Sequence, residues 1–166
     1  MIVLARAITY AALFIGFVLV FLPARVLSWS GITALPPVGL GASQVVGMGV
    51  GAGGIALALW CVGAFAIFGK GTPAPFDPPR QLVIRGPYWF VRNPMYIGAT
   101  FTLAGAALYY ESLTLLGYTI VFFAITHGFV LLYEEPTLRR LFGDSYLAYC
   151  REVSRWWPRQ RPKGGT

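Results

Sequence analysis

The chain alternates long apolar stretches with shorter polar ones, and this pattern predicts a bundle of membrane helices. Residues 1–22 and 43–68 are each long enough to cross a bilayer, since a spanning helix needs roughly 20 apolar residues. Two more apolar stretches run from Pro94 to Tyr110 and from Leu113 to Tyr133, and the first of these is short for a full span. We therefore expect an all-α integral membrane protein with about four transmembrane helices, folded as a single domain over residues 1–166.

Polar segments separate and follow these stretches. Residues 23–42 form a connector rich in glycine and proline, and residues 69–93 form a loop whose prolines oppose both helix and central strand. After Pro136 the pattern becomes amphipathic, so residues 136–166 predict an interfacial helix lying along the membrane and a basic tail. Gly143 is expected to divide this helix in two. Its apolar face comprises Leu138, Leu141, Phe142, Ser145, Tyr146 and Tyr149.

Composition supports the membrane assignment. The chain is 57% hydrophobic and 11% charged, whereas a soluble domain carries roughly 25% charged residues. The net charge of +7 is concentrated near the C-terminus, which also suits a nucleic-acid-binding tail. Because the body of the chain is so apolar, we expect anionic membrane lipids as partners and no nucleic acid.

The distribution of positive charge predicts the orientation. Residues 69–93 and the C-terminal tail carry most of the lysines and arginines, whereas the turn at Glu111 carries none. By the positive-inside rule, the loop and the tail lie in the cytoplasm, and with four spans so do both termini. We expect the active site on that side of a bacterial-type cytoplasmic membrane.

Glycines in the second apolar stretch recur at a spacing of four residues. The pairs Gly47/Gly51 and Gly49/Gly53 predict a smooth helix face for close packing against another helix. Metal chemistry is not expected, because one histidine and the two distant cysteines Cys61 and Cys150 cannot build a zinc site of the usual kinds.

The stretch from Arg85 to Gly98 concentrates arginine, asparagine, tyrosine, proline and glycine, which predicts a polar pocket at the membrane surface. Glu134 and Glu135 end the fourth apolar stretch, where carboxylates are costly unless they are solvated, ion-paired or bound to a ligand. His127 lies two turns before Glu134 on one helical face, where it either bonds a neighbouring helix or lines the pocket. The candidate pairing arginines are Arg92, Arg139 and Arg140.

Three motifs occur in order along the second half of the chain. They are Arg92-Asn93-Pro94-Met95-Tyr96-Ile97-Gly98, then Glu134-Glu135-Pro136, then Phe142 to Tyr149 followed by Arg155-Trp156-Trp157-Pro158. Together they resemble the integral-membrane methyltransferases, which include isoprenylcysteine carboxyl methyltransferases and phospholipid N-methyltransferases. The last motif is similar to bacterial members. The resemblance covers residues 72–159, and the first two spans match only in their apolar character.

This resemblance implies S-adenosyl-L-methionine as methyl donor, held between the loop before the third span and the end of the fourth. It implies Arg92, Glu135 and Arg155 as catalytic residues, with Tyr146 and Tyr149 bringing the C-terminal helix down as a lid. The residues that would enclose the cofactor are Leu82, Val83, Gly86, Tyr88, Arg92, Asn93, Pro94, Tyr96, Gly98, His127, Glu134, Glu135 and Tyr146.

The implied reaction moves the methyl group to a lipophilic acceptor that enters from the bilayer. A phospholipid-like amine would need a proton acceptor, for which Glu134, Glu135 and His127 are available. A prenylcysteine-like carboxylate or thiol would need none, and would favour nearby arginines. Asn93 resembles the phospholipid branch, whereas the C-terminal motif resembles the other, so both acceptors stay open. The alternative function is a non-enzymatic membrane binding or assembly protein that kept the methyltransferase fold.

Overall fold

A computed structural model describes residues 16–32, 39–64, 67 and 82–158. Every regular element in these ranges is helical, which confirms the all-α prediction. In chain order they are a π-helix at Gly16–Phe21, α1 at Leu22–Trp29, α2 at Ala42–Ala64, a 3₁₀ helix at Gly86–Trp89, α3 at Pro94–Tyr109, α4 at Leu113–Phe129, a π-helical turn at Val130–Glu134 and α5 at Glu135–Glu152. Most of the predicted first span, the loop segment 69–81 and the end of the basic tail lie outside the described residues.

Two of the described helices are long and apolar enough to cross a membrane. One is α2, with 23 residues, and the other runs over the 40 residues Leu113–Glu152 through α4, the π-helical turn and α5, with a kink at Gly143. Helix α3 has 16 residues, or about 24 Å at 1.5 Å per residue, which is less than the roughly 30 Å of a bilayer core. The four-span count therefore stays a prediction.

The first helix extends further than the sequence pattern indicates. The connector predicted from Pro23 is helical as far as Trp29. Pro23 follows directly after the π-helix at Gly16–Phe21, where the regular α-helical hydrogen-bond pattern is already interrupted. Leu27 is buried against Ala107 and Leu115, and this contact holds the additional turns against the bundle.

Helices α2 and α3 pack backbone against backbone. A Cβ atom on Gly54 would lie 2.5 Å from the carbonyl oxygen of Gly98 and 2.5 Å from the amide nitrogen of Thr102. Such distances leave no room for a side chain, so glycine is what permits this approach. The contact fixes the start of α3, where the polar stretch becomes helical, against the second half of α2.

The predicted glycine face is confirmed for one pair and not for the other. Gly47 and Gly51 both contact α3, whereas Gly49 and Gly53 have nothing within 4 Å of a built Cβ atom. Gly54 supplies the third position of the packed face. The helical period of 3.6 residues explains this result, because it places residues 47, 51 and 54 on one side of α2.

The two ends of α2 contact different parts of the chain. At its start, the side chains of Ser43 and Gln44 donate hydrogen bonds to the carboxylate of Glu111, in the turn between α3 and α4. At its end, Trp60 and Ala64 lie beside Gly86 of the 3₁₀ helix. The turn at Glu111 and the polar stretch therefore lie at opposite ends of this helix.

The predicted break at Pro136 is absent, because the helix continues from α4 through the π-helical turn into α5. Pro136 lies directly after the π-helical turn, where the regular α-helical hydrogen-bond pattern is already interrupted, so its missing N–H costs less. The predicted division at Gly143 is confirmed by its non-helical φ of 49° and ψ of −126°.

Part of the apolar face of α5 packs against the protein, and its position along a membrane stays a prediction. Tyr146, Tyr149 and Val153 form a buried cluster, against which Leu82 and Ile84 pack from the segment before the 3₁₀ helix. Two residues of the predicted face are exposed instead, namely Leu141 and Ser145. The helix thus covers the polar stretch, as a lid would.

Candidate functional site

Arg92, Glu135 and Arg155, the three residues predicted to be catalytic, meet in one buried ion-pair cluster. Arg155 donates from Nε to Glu135 Oε1 at 2.7 Å and from Nη2 to Oε2 at 2.9 Å. Arg92 Nη1 lies 3.1 Å from the same Oε1. Because Glu135 is only 5% exposed, its charge would be strongly destabilising without these partners.

The electrostatics of the cluster favour a further anionic group. Two guanidinium groups surround one carboxylate, so the cluster carries one excess positive charge. The hydrogen bonds that Arg155 donates to Glu135 raise the pKa of Arg155 above its ordinary value. Within the part of the chain that the structure describes, the buried Nε of Arg92 has no hydrogen-bond acceptor.

Backbone pairing between distant segments positions both arginines. Val91 and Ser154 form an isolated parallel β-bridge, and the amide of Arg92 donates to the carbonyl of Ser154 at 3.0 Å. The side chain of Asn93 donates to the carbonyl of Arg155 at 3.3 Å. The extended segment after α5 is therefore fixed alongside the residues that lead into α3.

Glu134 has a different partner from its neighbour Glu135. The phenol of Tyr96, on the first turn of α3, donates to Glu134 Oε2 at 3.1 Å. A π-helical turn holds more residues than an α-helical one. Because of the turn at Val130–Glu134, the two glutamates do not occupy the faces that a regular continuation of α4 would give them. Glu134 and Glu135 contact different segments.

His127 pairs with the C-terminal segment. Trp156 donates from its indole Nε1 to His127 Nδ1 at 2.9 Å, and the Trp156 ring lies 4.9 Å from that of Phe123. A neutral imidazole that accepts at Nδ1 carries its proton on Nε2. Adjacent residues, Arg155 and Trp156, thus contact Glu135 and His127. The shared face of His127 and Glu134 stays a prediction.

Tyrosines connect the lid helix to the polar stretch. The hydroxyl of Tyr149 donates to the carbonyl of Tyr88 at 2.6 Å, and the buried ring of Tyr146 lies 6.3 Å from that of Tyr149. Tyr88 itself hydrogen-bonds Cys61 at the end of α2. Burial raises the pKa of the Tyr88 phenol well above its ordinary value, and nearby Cys61 and Glu134 raise it further.

Several of the residues predicted to enclose the cofactor lie apart from the ion-pair cluster. Gly98 faces Gly54 in the α2–α3 interface, and Val83 packs in the cluster formed by Cys61, Ala64 and Tyr88. Gly86 lies beside Trp60, Pro94 is buried at the start of α3, and Leu82 packs under the lid helix. These residues pack in the helix and loop contacts that support the site, and their contact with a cofactor stays a prediction.

Three site residues carried no recognised role in the sequence. Cys150 accepts a hydrogen bond from Arg92 Nη1 at 2.8 Å, Ser154 supplies the backbone pairing, and Trp156 binds His127. Only Trp156 had a signal, as part of the Arg155-Trp156-Trp157-Pro158 motif. Its neighbour Trp157 is 81% exposed.

Among the described residues, no group of three or more His, Cys, Asp or Glu side chains could hold a metal ion. Apolar helices that are long enough to cross a membrane, with an ion-paired polar cluster at one end of α2, indicate the class: a membrane protein.

A family model places the chain more narrowly. The model of the phospholipid methyltransferase family matches residues 42–145, which is more than half of the 166 residues. The chain therefore belongs to the phospholipid methyltransferase family, and membership indicates a membrane methyltransferase. This confirms the family resemblance seen in the sequence. Comparisons with curated proteins and with solved structures found no significant match.

Proposed function

We propose that the protein is an S-adenosyl-L-methionine-dependent methyltransferase that acts on a lipophilic acceptor. The observation that carries this proposal is the buried cluster of Arg92, Glu135 and Arg155 beside the Glu134–Tyr96 pair, in a chain of this family. These charges lie at one end of apolar helices, where a polar cofactor and a bilayer lipid can reach the same place.

The residues present fit the proposed cofactor. Its methionine part carries a carboxylate, which suits the excess positive charge of the cluster and the Nε of Arg92, which has no acceptor among the described residues. Glu134 suits an amino or hydroxyl group, because its only described hydrogen-bond donor is a neutral phenol. When bound, the cofactor supplies a methyl group activated on a sulfonium.

The protein's own contribution is binding, orientation and exclusion of water. Orienting two reactants can lower a barrier by roughly 7–11 kcal/mol in favourable systems. The lid helix, held by Tyr149 on Tyr88, covers the polar stretch and limits access of bulk water. No nucleophilic side chain is needed for a direct displacement at the methyl carbon.

We further propose a phospholipid amine as the acceptor, because the family description names phospholipids. A prenylcysteine-like carboxylate or thiol is the second candidate, favoured by the excess positive charge of the two arginines. The site and both termini are proposed to lie on the cytoplasmic side, since the basic loop and tail flank the polar stretch.

Calorimetry on the detergent-purified protein tests cofactor binding. We expect S-adenosyl-L-methionine and its demethylated product to bind, and Arg92→Ala and Glu135→Ala to weaken binding more than Glu111→Ala, at the other end of α2. Equal effects of the three variants would remove the site assignment, and absence of binding to the wild type would remove the function. Binding without turnover would favour the non-enzymatic alternative.

A further inference from the structure

Methyl transfer to an amine requires a base, because the ammonium form that prevails near neutral pH has no free electron pair. Three side chains at the site can in principle accept the proton, namely Glu134, Glu135 and His127. Their hydrogen-bond partners differ, and those partners separate the three candidates.

Glu135 is already fully engaged. Both of its oxygens accept from Arg155, and Oε1 also faces Arg92. Protonation would remove the carboxylate charge that compensates two partly buried guanidinium groups, which is a strongly unfavourable change. At 5% exposure, Glu135 also offers an acceptor lipid almost no surface. Its role is to hold the arginines in place.

The nitrogen of His127 that would have to take the proton is already hydrogen-bonded. Its Nδ1 accepts the indole N–H of Trp156, so its proton lies on Nε2 and that nitrogen is a donor. Taking a second proton at Nδ1 would break the bond to Trp156 and with it a contact that fixes the segment carrying Arg155.

Glu134 is free of these constraints. Its Oε2 accepts from Tyr96, and in the described part of the chain no arginine or lysine pairs with it. It is half-buried, whereas Glu135 is buried. The titratable groups facing it are the Tyr96 phenol from α3, the Tyr88 phenol from the 3₁₀ helix and the adjacent Glu135. Protonating Glu134 breaks no ion pair.

Resting on the proposed function, we propose that Glu134 is the catalytic residue that takes the proton from the acceptor amine. An N–H bond of the ammonium breaks, an O–H bond forms on the carboxylate, and the electron pair stays on nitrogen. That pair forms the new N–C bond to the transferred methyl group while the C–S bond breaks and leaves its pair on sulfur. The proton on Glu134 then passes to water.

The full-length variant Glu134→Gln tests this assignment, because glutamine keeps the size and the acceptor oxygen for Tyr96 but cannot take a proton. With a phospholipid bearing an ethanolamine headgroup, we expect kcat to fall about 100-fold or more. The residual rate then depends on the free-amine fraction of the substrate, so the acid limb of the pH–rate profile is expected to move to higher pH than in the wild type. Glu111→Gln, a matched change at the opposite end of α2, is expected to keep wild-type kcat and pH dependence.

Two binding readouts separate chemistry from folding. Calorimetry without turnover gives the S-adenosyl-L-methionine concentration that saturates each protein, and kcat is compared at saturation, so a loss of cofactor affinity in Glu134→Gln does not enter the comparison. Without cofactor, the wild type is expected to bind a short-chain phospholipid with an ethanolamine headgroup more tightly than one with a glycerol headgroup, and the variant is expected to lose that preference. If the glutamine variant does not fold, Glu134→Asp keeps the base and is expected to retain the acid limb at reduced kcat.

Different outcomes overturn different claims. Unchanged kcat in Glu134→Gln, or an acid limb that stays at the wild-type pH there and moves to higher pH in a folded Glu135→Gln or His127→Gln protein, would overturn the assignment of Glu134. A wild type that binds the cofactor and methylates carboxylates or thiols, but no amines, would do the same and leave the methyltransferase function standing. A wild type that binds no cofactor would overturn the proposed function itself.

Discussion

At the scale of single residues, the ion pairs of Glu135 determine how the site holds together. Arg155 binds the carboxylate with two parallel hydrogen bonds, a geometry that a lysine cannot reproduce. Arg92 completes the charge balance from a separate segment of the chain. A single substitution at Glu135 therefore affects two arginines and the two segments that carry them.

Glu135→Gln is expected to lower the free energy of unfolding by about 3–5 kcal/mol, because two guanidinium groups stay in place without a counter-charge. Thermal unfolding in detergent measures the change, with Glu111→Gln as the matched exposed control. Arg155→Lys is expected to be milder, since it keeps the positive charge and loses only the paired geometry. Similar unfolding temperatures for Glu135→Gln and Glu111→Gln would contradict the energetic role of the cluster.

The residues of the site were predictable where the composition of the chain changes sharply. Arg92, Tyr96 and the glutamate pair stand out as polar residues at the ends of apolar stretches, and the structure brings them together. Cys150 and Ser154 were not predictable, because their roles depend on the pairing of segments far apart in sequence. Because every residue has a backbone carbonyl, the role of the Ser154 carbonyl cannot be predicted from the residue pattern.

At the scale of helices, the α2–α3 contact sets the position of the site. The glycine face of α2 lets α3 approach until backbone touches backbone, and the N-terminus of α3 carries the residues next to the cluster. In a membrane such close approach stabilises helix pairs, because packing rather than water exclusion drives association.

Gly54→Ala is expected to destabilise the protein by about 1–3 kcal/mol, since the added methyl group would overlap the backbone of Gly98 and Thr102. Gly53→Ala, one residue earlier, adds the same methyl group where nothing lies within 4 Å. It is expected to be neutral or slightly stabilising, because alanine favours helix more than glycine does. Thermal unfolding of the two variants makes the comparison, and equal destabilisation would contradict the packing described for α2.

Helix existence was more predictable than helix boundaries. Helix α3 runs from Pro94 to Tyr109, one residue short of the predicted stretch, because proline and the polar turn at Glu111 mark its ends. The extension of α1 to Trp29 and the π-helical turn were missed. Both depend on tertiary packing, which can override the local signals of a proline or a change in polarity.

At the scale of the whole molecule, the structure places the turn at Glu111 and the site at opposite ends of α2. If α2 crosses the membrane, these two ends face different compartments. The distribution of lysine and arginine then predicts the site on the cytoplasmic side.

Single-cysteine labelling tests this orientation. In a variant lacking Cys61 and Cys150, Glu111→Cys is expected to react with a membrane-impermeant maleimide from outside intact cells. Glu152→Cys, an exposed position at the end of α5, is expected to react only after the membrane is opened. Labelling of both positions from one side would contradict the transmembrane arrangement, and a reversed pattern would contradict the cytoplasmic site.

Transfer of a labelled methyl group tests the central claim most directly. The detergent-purified protein is incubated with methyl-labelled S-adenosyl-L-methionine and a native lipid extract, and mass spectrometry identifies the labelled product. We predict label in a lipid fraction with the wild type and with Glu111→Gln, and none with Glu135→Gln. Unlabelled lipid with a folded, cofactor-binding wild type would contradict a methyltransferase that acts on membrane lipids, and equal labelling by all three proteins would contradict a site built on Glu135.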